Sequence, residues 1–111
     1  MIRITTFVLA LAFGPGAYAA DVENGSKLSQ EKICHTCHGA DGNKPIDGQY
    51  PRLAGQYADY LAKALREYRS GSRVNLVMAP IAKPLTDQEI DDLSAFFAQQ
   101  KGDLEDLSHM E

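Results

Sequence analysis

Five consecutive residues, Cys34-His35-Thr36-Cys37-His38, hold both cysteines of this chain and two of its three histidines. Two thiols three positions apart on a helical turn can each form a thioether to one of the two vinyl groups of a porphyrin. The histidine directly after the second cysteine is then held under the metal, where its imidazole can act as the proximal ligand. The run therefore predicts covalent attachment of one haem c through Cys34 and Cys37, with His38 on the iron. Three other chemistries fit less well. Thioredoxin-like dithiols open a helix within a strand-rich βαβ pattern, and nothing here alternates as strands do. Structural zinc takes four ligands, usually as two separated pairs, whereas only His109 lies outside the cluster. A disulfide between Cys34 and Cys37 would close a tiny loop and stabilise little.

The segments around this motif set its context. Met1-Ile2-Arg3 carries one positive charge, and Ile4 to Phe13 is a short, nearly continuous apolar run. Gly14-Pro15-Gly16 breaks any helix, and Ala17-Tyr18-Ala19 has the small-x-small form of a signal peptidase site. The run is about half the ~20 residues that span a bilayer. Residues 1–19 thus read as a cleaved signal peptide and residues 20–111 as one mature domain, exported to the periplasm with no membrane span. The whole chain has 11 basic and 15 acidic side chains, a net charge of −4. Such an acidic domain is a poor binder of nucleic acid or anionic membrane. It favours partners that present a basic patch.

A domain of this length buries only about 60–65% of its unfolded surface and is marginal alone. A covalently held porphyrin would add a large apolar centre. The periodicity predicts an all-α domain of three main helices with irregular connections. The first runs from Val22 into the Cys-His motif, with Leu28 and Ile33 pointing inward, and Asp41-Gly42-Asn43 with Pro45 begins a long loop. The second spans Gln56 to Arg69. Tyr57, Tyr60, Leu61, Ala64, Leu65 and Tyr68 form its apolar stripe, Asp59, Lys63, Arg66 and Glu67 its wet side, and Ser70-Gly71 its stop. The third opens on the capping box Thr86-Asp87-Gln88-Glu89, with Ile90, Leu93, Phe96 and Phe97 facing the core.

Taken in order, these residues resemble a class I c-type cytochrome, the small bacterial monohaem type related to single domains of dihaem cytochromes. The resemblance rests on Cys34-His35-Thr36-Cys37-His38-Gly39 with Asp41-Gly42, then Tyr50-Pro51-Arg52-Leu53-Ala54-Gly55-Gln56. It continues through Tyr60-Leu61, Leu65, Tyr68-Arg69, Gly71, Met78 and Leu85-Thr86-Asp87-Gln88-Glu89-Ile90 to Leu93. It implies a cytochrome c fold, three main helices packed around one covalently attached haem. It also implies a sixth iron ligand. The candidates are Met78, Met110, His35 and His109. His35 is pinned inside the attachment turn, and His109 and Met110 adjoin the terminus. The family places its distal methionine where Met78 stands; the other reading of Met78 is a residue filling a core gap. In related proteins a proline carbonyl also accepts the Nδ1–H of the haem histidine, and here either Pro45 or Pro51 is available. Arg52 is a candidate partner for a haem propionate or a solvated loop arginine. Gly25 lets the first and third helices cross closely, or simply turns the chain before the first helix.

A His/Met-ligated haem suits electron transfer. The resemblance therefore implies a periplasmic one-electron carrier, not an enzyme, that exchanges electrons with donor and acceptor proteins. The alternative is a haem c electron-accepting subunit of a periplasmic dehydrogenase, for example a flavin-containing sulfide dehydrogenase. A five-coordinate haem that binds gas or peroxide is a third reading, and no acid–base constellation supports it.

Overall fold

The computed structural model describes residues 19–102. The signal-peptide reading falls almost wholly outside the described residues, as do His109 and Met110. Among the described residues there are helices and no strands: α1 (Val22–Glu31), α2 (Cys34–His38), α3 (Ala58–Ser70), α4 (Met78–Ala82) and α5 (Asp87–Gln99). The most extensive pairing is α1 on α5, and α3 packs against both α5 and α4. Leu28, Leu61, Ala62, Ala82, Leu85, Ile90, Leu93, Phe96 and Phe97 form the core, with Leu53, Leu65 and Tyr68 packed against it.

The outer frame follows from local rules. Asp21 caps α1 by accepting the Asn24 N–H at 3.0 Å. Thr86 and Glu89 close the expected capping box, each side chain accepting the other's backbone N–H at 3.1 Å. Gly71 ends α3 in the left-handed region and donates its N–H to Glu67 O, as the Ser70-Gly71 stop predicts. Gly25 sits where α1 meets α5. A Cβ there would lie 2.0 Å from the Asp92 carbonyl oxygen and 2.7 Å from Phe96 Cβ, so only glycine permits this crossing. Asp92 faces the same junction and is buried. Its carboxylate accepts from Asp21 N–H (2.8 Å), Asn24 Nδ2 (2.8 Å) and Gln88 Nε2 (2.7 Å), tying the start of α1 to α5.

Two expectations are corrected. The first helix does not run unbroken into the motif. It stops at Glu31, and Ile33 takes a left-handed φ of 59°, which turns the chain before α2 begins. That conformation costs a β-branched residue about 1–2 kcal/mol. It leaves Ile33 exposed, while Leu28 points inward as expected. The second correction is α4. Asn75 creates it from outside, because its Oδ1 accepts both Val77 N–H and Met78 N–H at 2.9 Å. Pro80 sits inside this short helix, and the i→i−4 bond of Ala79 N–H to Asn75 O at 3.0 Å precedes it.

Candidate functional site

The site is assembled on α2, and the loop that follows shapes it. Gly42 makes this possible. Its φ is 77°, and its carbonyl accepts Leu53 N–H at 2.7 Å and Ala54 N–H at 3.2 Å, drawing residues 42–54 into a closed loop. A Cβ at Gly42 would lie 2.7 Å from Phe97 Cδ1, so the loop is seated directly on α5. Ile46 N–H donates to Cys37 O at 3.0 Å and Gly55 N–H to Phe97 O at 3.0 Å, fastening the loop to α2 and to α5. This closure brings Pro51, and not Pro45, to the motif. His38 Nδ1 donates to Pro51 O at 2.8 Å, and His38 is only 6% exposed.

That bond decides what His38 can do. With Nδ1 engaged by a carbonyl, Nε2 is the nitrogen left for a metal, and the Pro51 carbonyl on the far side of the ring raises its basicity. The neighbouring ring of His35 is turned away, donating from Nδ1 to Ser29 O at 3.2 Å on α1. Both thiols are free. Burial pushes the Cys34 thiol up, a backbone hydrogen bond pulls it partly back, and the nearby Cys37 adds to the rise. A redox-active dithiol needs the opposite, a thiol stabilised as thiolate. No group of three or more His, Cys, Asp or Glu residues able to hold a metal ion is found among the described residues, which removes the zinc reading there.

Tyr50 belongs to the site although sequence reasoning gave it no role. Its ring stands edge-on to His38, centroids 6.3 Å apart at 80°. The nearby Cys37 thiol holds its phenol above the ordinary range, with burial and Asp47 adding to the effect. Its position directly before Pro51 was the only available signal. Arg52 follows Pro51, is exposed, and stands beside the carbonyl that holds His38.

Met78 opens α4 and is half-buried. Large hydrophobic side chains are exposed beside the motif at Ile33, before Met78 at Val74, Leu76 and Val77, and between the two at Ile46, Tyr57 and Tyr60. Of these, Leu76 is the most exposed, at 93%. The apolar stripe of α3 thus divides. Leu61, Leu65 and Tyr68 join the core, while Tyr57 and Tyr60 stay outside it. The residues present fit a large apolar prosthetic group carried on the Cys34–His38 turn, with the imidazole of His38 available to its iron.

Helices around a Cys-x-x-Cys-His turn, with a proline carbonyl on the histidine, define a small c-type haem protein. The comparisons give the family. The cytochrome c family profile matches residues 22–101, and the chain belongs to that family. It is 37% identical over 109 residues to cytochrome c4 of Stutzerimonas stutzeri, covering 89% of this chain and 50% of that one. It is 41% identical over 92 residues to a thiosulfate dehydrogenase electron acceptor of the same species, covering 79% of this chain and 43% of the relative. The crystal structure of reduced recombinant cytochrome c4 from Pseudomonas stutzeri superposes with a TM-score of 0.70 at 37% identity. That match covers 78% of this chain and 48% of the other. The chain thus spans about half the length of these relatives. Its all-α architecture and cytochrome c fold agree with the sequence-based expectation, and family membership implies covalently bound haem c.

Proposed function

We propose that the chain is a one-electron carrier of the periplasm that holds a single haem c. Cys34 and Cys37 form the thioethers, and His38 and Met78 are the axial ligands. Bound there, haem supplies an iron that cycles between Fe(II) and Fe(III) and so passes one electron at a time. The chain's residues set the conditions for that exchange. Pro51 O fixes the His38 ring and its tautomer, so the ligand does not rearrange between oxidation states. Met78 contributes a neutral, soft thioether that favours the reduced iron. Arg52, exposed and directly after Pro51, is the candidate to neutralise a propionate.

The observation that carries the reading is the His38–Pro51 hydrogen bond inside the Cys-x-x-Cys-His turn of a cytochrome c family chain. The ligand set is tested with Met78→Ala, whose reduction potential should fall clearly below the wild type's, whereas Met110→Ala should leave it unchanged. An unchanged potential in Met78→Ala would remove the methionine from the site.

The donor and acceptor are proteins, and the acidic charge of the chain favours basic docking surfaces on them. The likeness to a thiosulfate dehydrogenase electron acceptor also supports a second reading, a haem subunit that receives electrons from a periplasmic dehydrogenase. Ionic strength separates the two. A free carrier exchanges through brief, salt-sensitive encounters, while a resident subunit co-purifies with its enzyme through salt washes.

A further inference from the structure

The segment leading into Met78 carries a side chain, Arg73, whose contacts with α3 the electron-carrier reading leaves without a role. Residues 71–77 connect α3 to α4, and apolar burial does not fasten them, since Val74 and Leu76 are 87% and 93% exposed. Arg73 does. Its Nε donates to Glu67 Oε2 at 3.3 Å, and its backbone N–H donates to Glu67 O at 3.2 Å. Its guanidinium carbon lies 5.8 Å from the centroid of the Tyr60 ring and 5.6 Å from that of Tyr68. A planar cation set against two aromatic rings and a carboxylate of one helix is a directional tether that an ammonium cannot reproduce. Lys63 and, with it, Arg73 keep Glu67 below the ordinary carboxylate range, so the acceptor is charged at neutral pH.

Beyond Arg73 the chain is stiff. Asn75 Oδ1 accepts from Val77 N–H and Met78 N–H, and Ala79 N–H donates to Asn75 O at 3.0 Å. Residues 75–79 therefore move together. α4 itself packs on α3, and upstream of it the segment reaches α3 through the Ser72 Oγ contact to Glu67 O at 3.5 Å and through Arg73, five positions before Met78 and set against both tyrosine rings.

We infer that Arg73 is the positioning residue for the Met78 thioether: stacked on Tyr60 and Tyr68 and paired with Glu67, it holds the α3–α4 segment closed. This rests on the reading of Met78 as an iron ligand. Without the tether, the segment spends more time with the thioether withdrawn. A ligand that competes for the sixth position then binds in proportion to that open fraction.

The test uses the haem-loaded full chain in its reduced form, with carbon monoxide as the probe. Arg73→Ala should bind carbon monoxide about tenfold faster than wild type, as a tenfold larger open fraction requires. Arg73→Lys, which keeps the charge but not the stacking, should fall between them. Glu67→Gln offers a milder route to the same opening and should shift in the same direction. Arg66→Ala is the control, because Arg66 pairs with Asp91 and Asp87 on α5 and does not touch the segment. It should lose stability yet bind carbon monoxide as wild type does. Wild-type binding in both Arg73→Ala and Glu67→Gln, alongside fast binding in Met78→Ala, would overturn the role of Arg73 alone. Equal acceleration in Arg66→Ala would also overturn it, by reducing the effect to general destabilisation. If Met78→Ala itself bound no faster than wild type, the ligand assignment would fall and the tether with it.

Discussion

Replacing Asp92 by alanine removes the acceptor for three donors at the junction of α1 and α5. Three hydrogen bonds at 2.7–2.8 Å converge on this carboxylate, and a hydrogen bond to a charged group contributes about 1.5–3 kcal/mol net of desolvation. After the substitution the Asn24 and Gln88 amides, both half-buried, can turn toward water, whereas the Asp21 N–H is fixed in the backbone. The expected net loss is about 2–4 kcal/mol, a large part of the ~5–15 kcal/mol that holds a domain folded. The loss should also depend on pH. Burial raises the Asp92 carboxyl, but the hydrogen bonds from Asp21, Asn24 and Gln88 outweigh it and leave the pKa below its ordinary value. A group lowered in this way stabilises the fold above its unfolded pKa, and that contribution disappears as pH falls through the folded one. Denaturant unfolding of the haem-loaded proteins, followed by circular dichroism at neutral pH and down to about pH 2, measures both effects. The wild type should lose its advantage over Asp92→Ala on acidification. A neutral-pH difference below about 0.5 kcal/mol, or a difference that widens in acid, would refute this account of the junction.

Gly25→Ala should cost about 3 kcal/mol or more, because the new methyl meets the Asp92 backbone and not a movable side chain. Near-wild-type denaturant stability would mean that α1 and α5 separate easily. Cys37→Ala should keep haem through one thioether at best, and denaturing gels stained for haem peroxidase, with intact-mass spectra, should show a poorly folded product of low haem content. Full, stable loading in that variant would argue against attachment at Cys37.

How far the sequence reads through to the structure differs from element to element. The α5 helix was legible because its capping box and its Ile90, Leu93, Phe96 and Phe97 stripe are both local signals, and both appear in the fold. Gly25 was one of two open readings, and the 2.0 Å approach to the Asp92 carbonyl oxygen decides it for the helix crossing. The break at Ile33 was hidden because a β-branched residue is among the least expected in left-handed geometry. The α4 helix was hidden because the side chain that caps it, Asn75, lies three residues before Met78 and Pro80 argues for a loop. Periodicity located the stripe of α3 but not what covers it, so Tyr57 and Tyr60 were grouped with residues that do enter the core. The choice between Pro45 and Pro51 depended on loop closure at Gly42, a long-range property with no local signature. The burial of Asp92 escaped for a related reason. An acid is expected in water until three donors from two other turns converge on it.

Ligation of one covalently held haem by His38 and Met78 leaves a direct optical signature. The absorption spectrum of the purified protein in both oxidation states tests it most directly. The oxidised form should be low-spin and show the weak long-wavelength sulfur-to-iron band, and the reduced form should show the sharp bands of a haem joined by two thioethers. An oxidised spectrum that is high-spin and lacks the sulfur band would contradict the assignment of Met78 and the carrier function built on it.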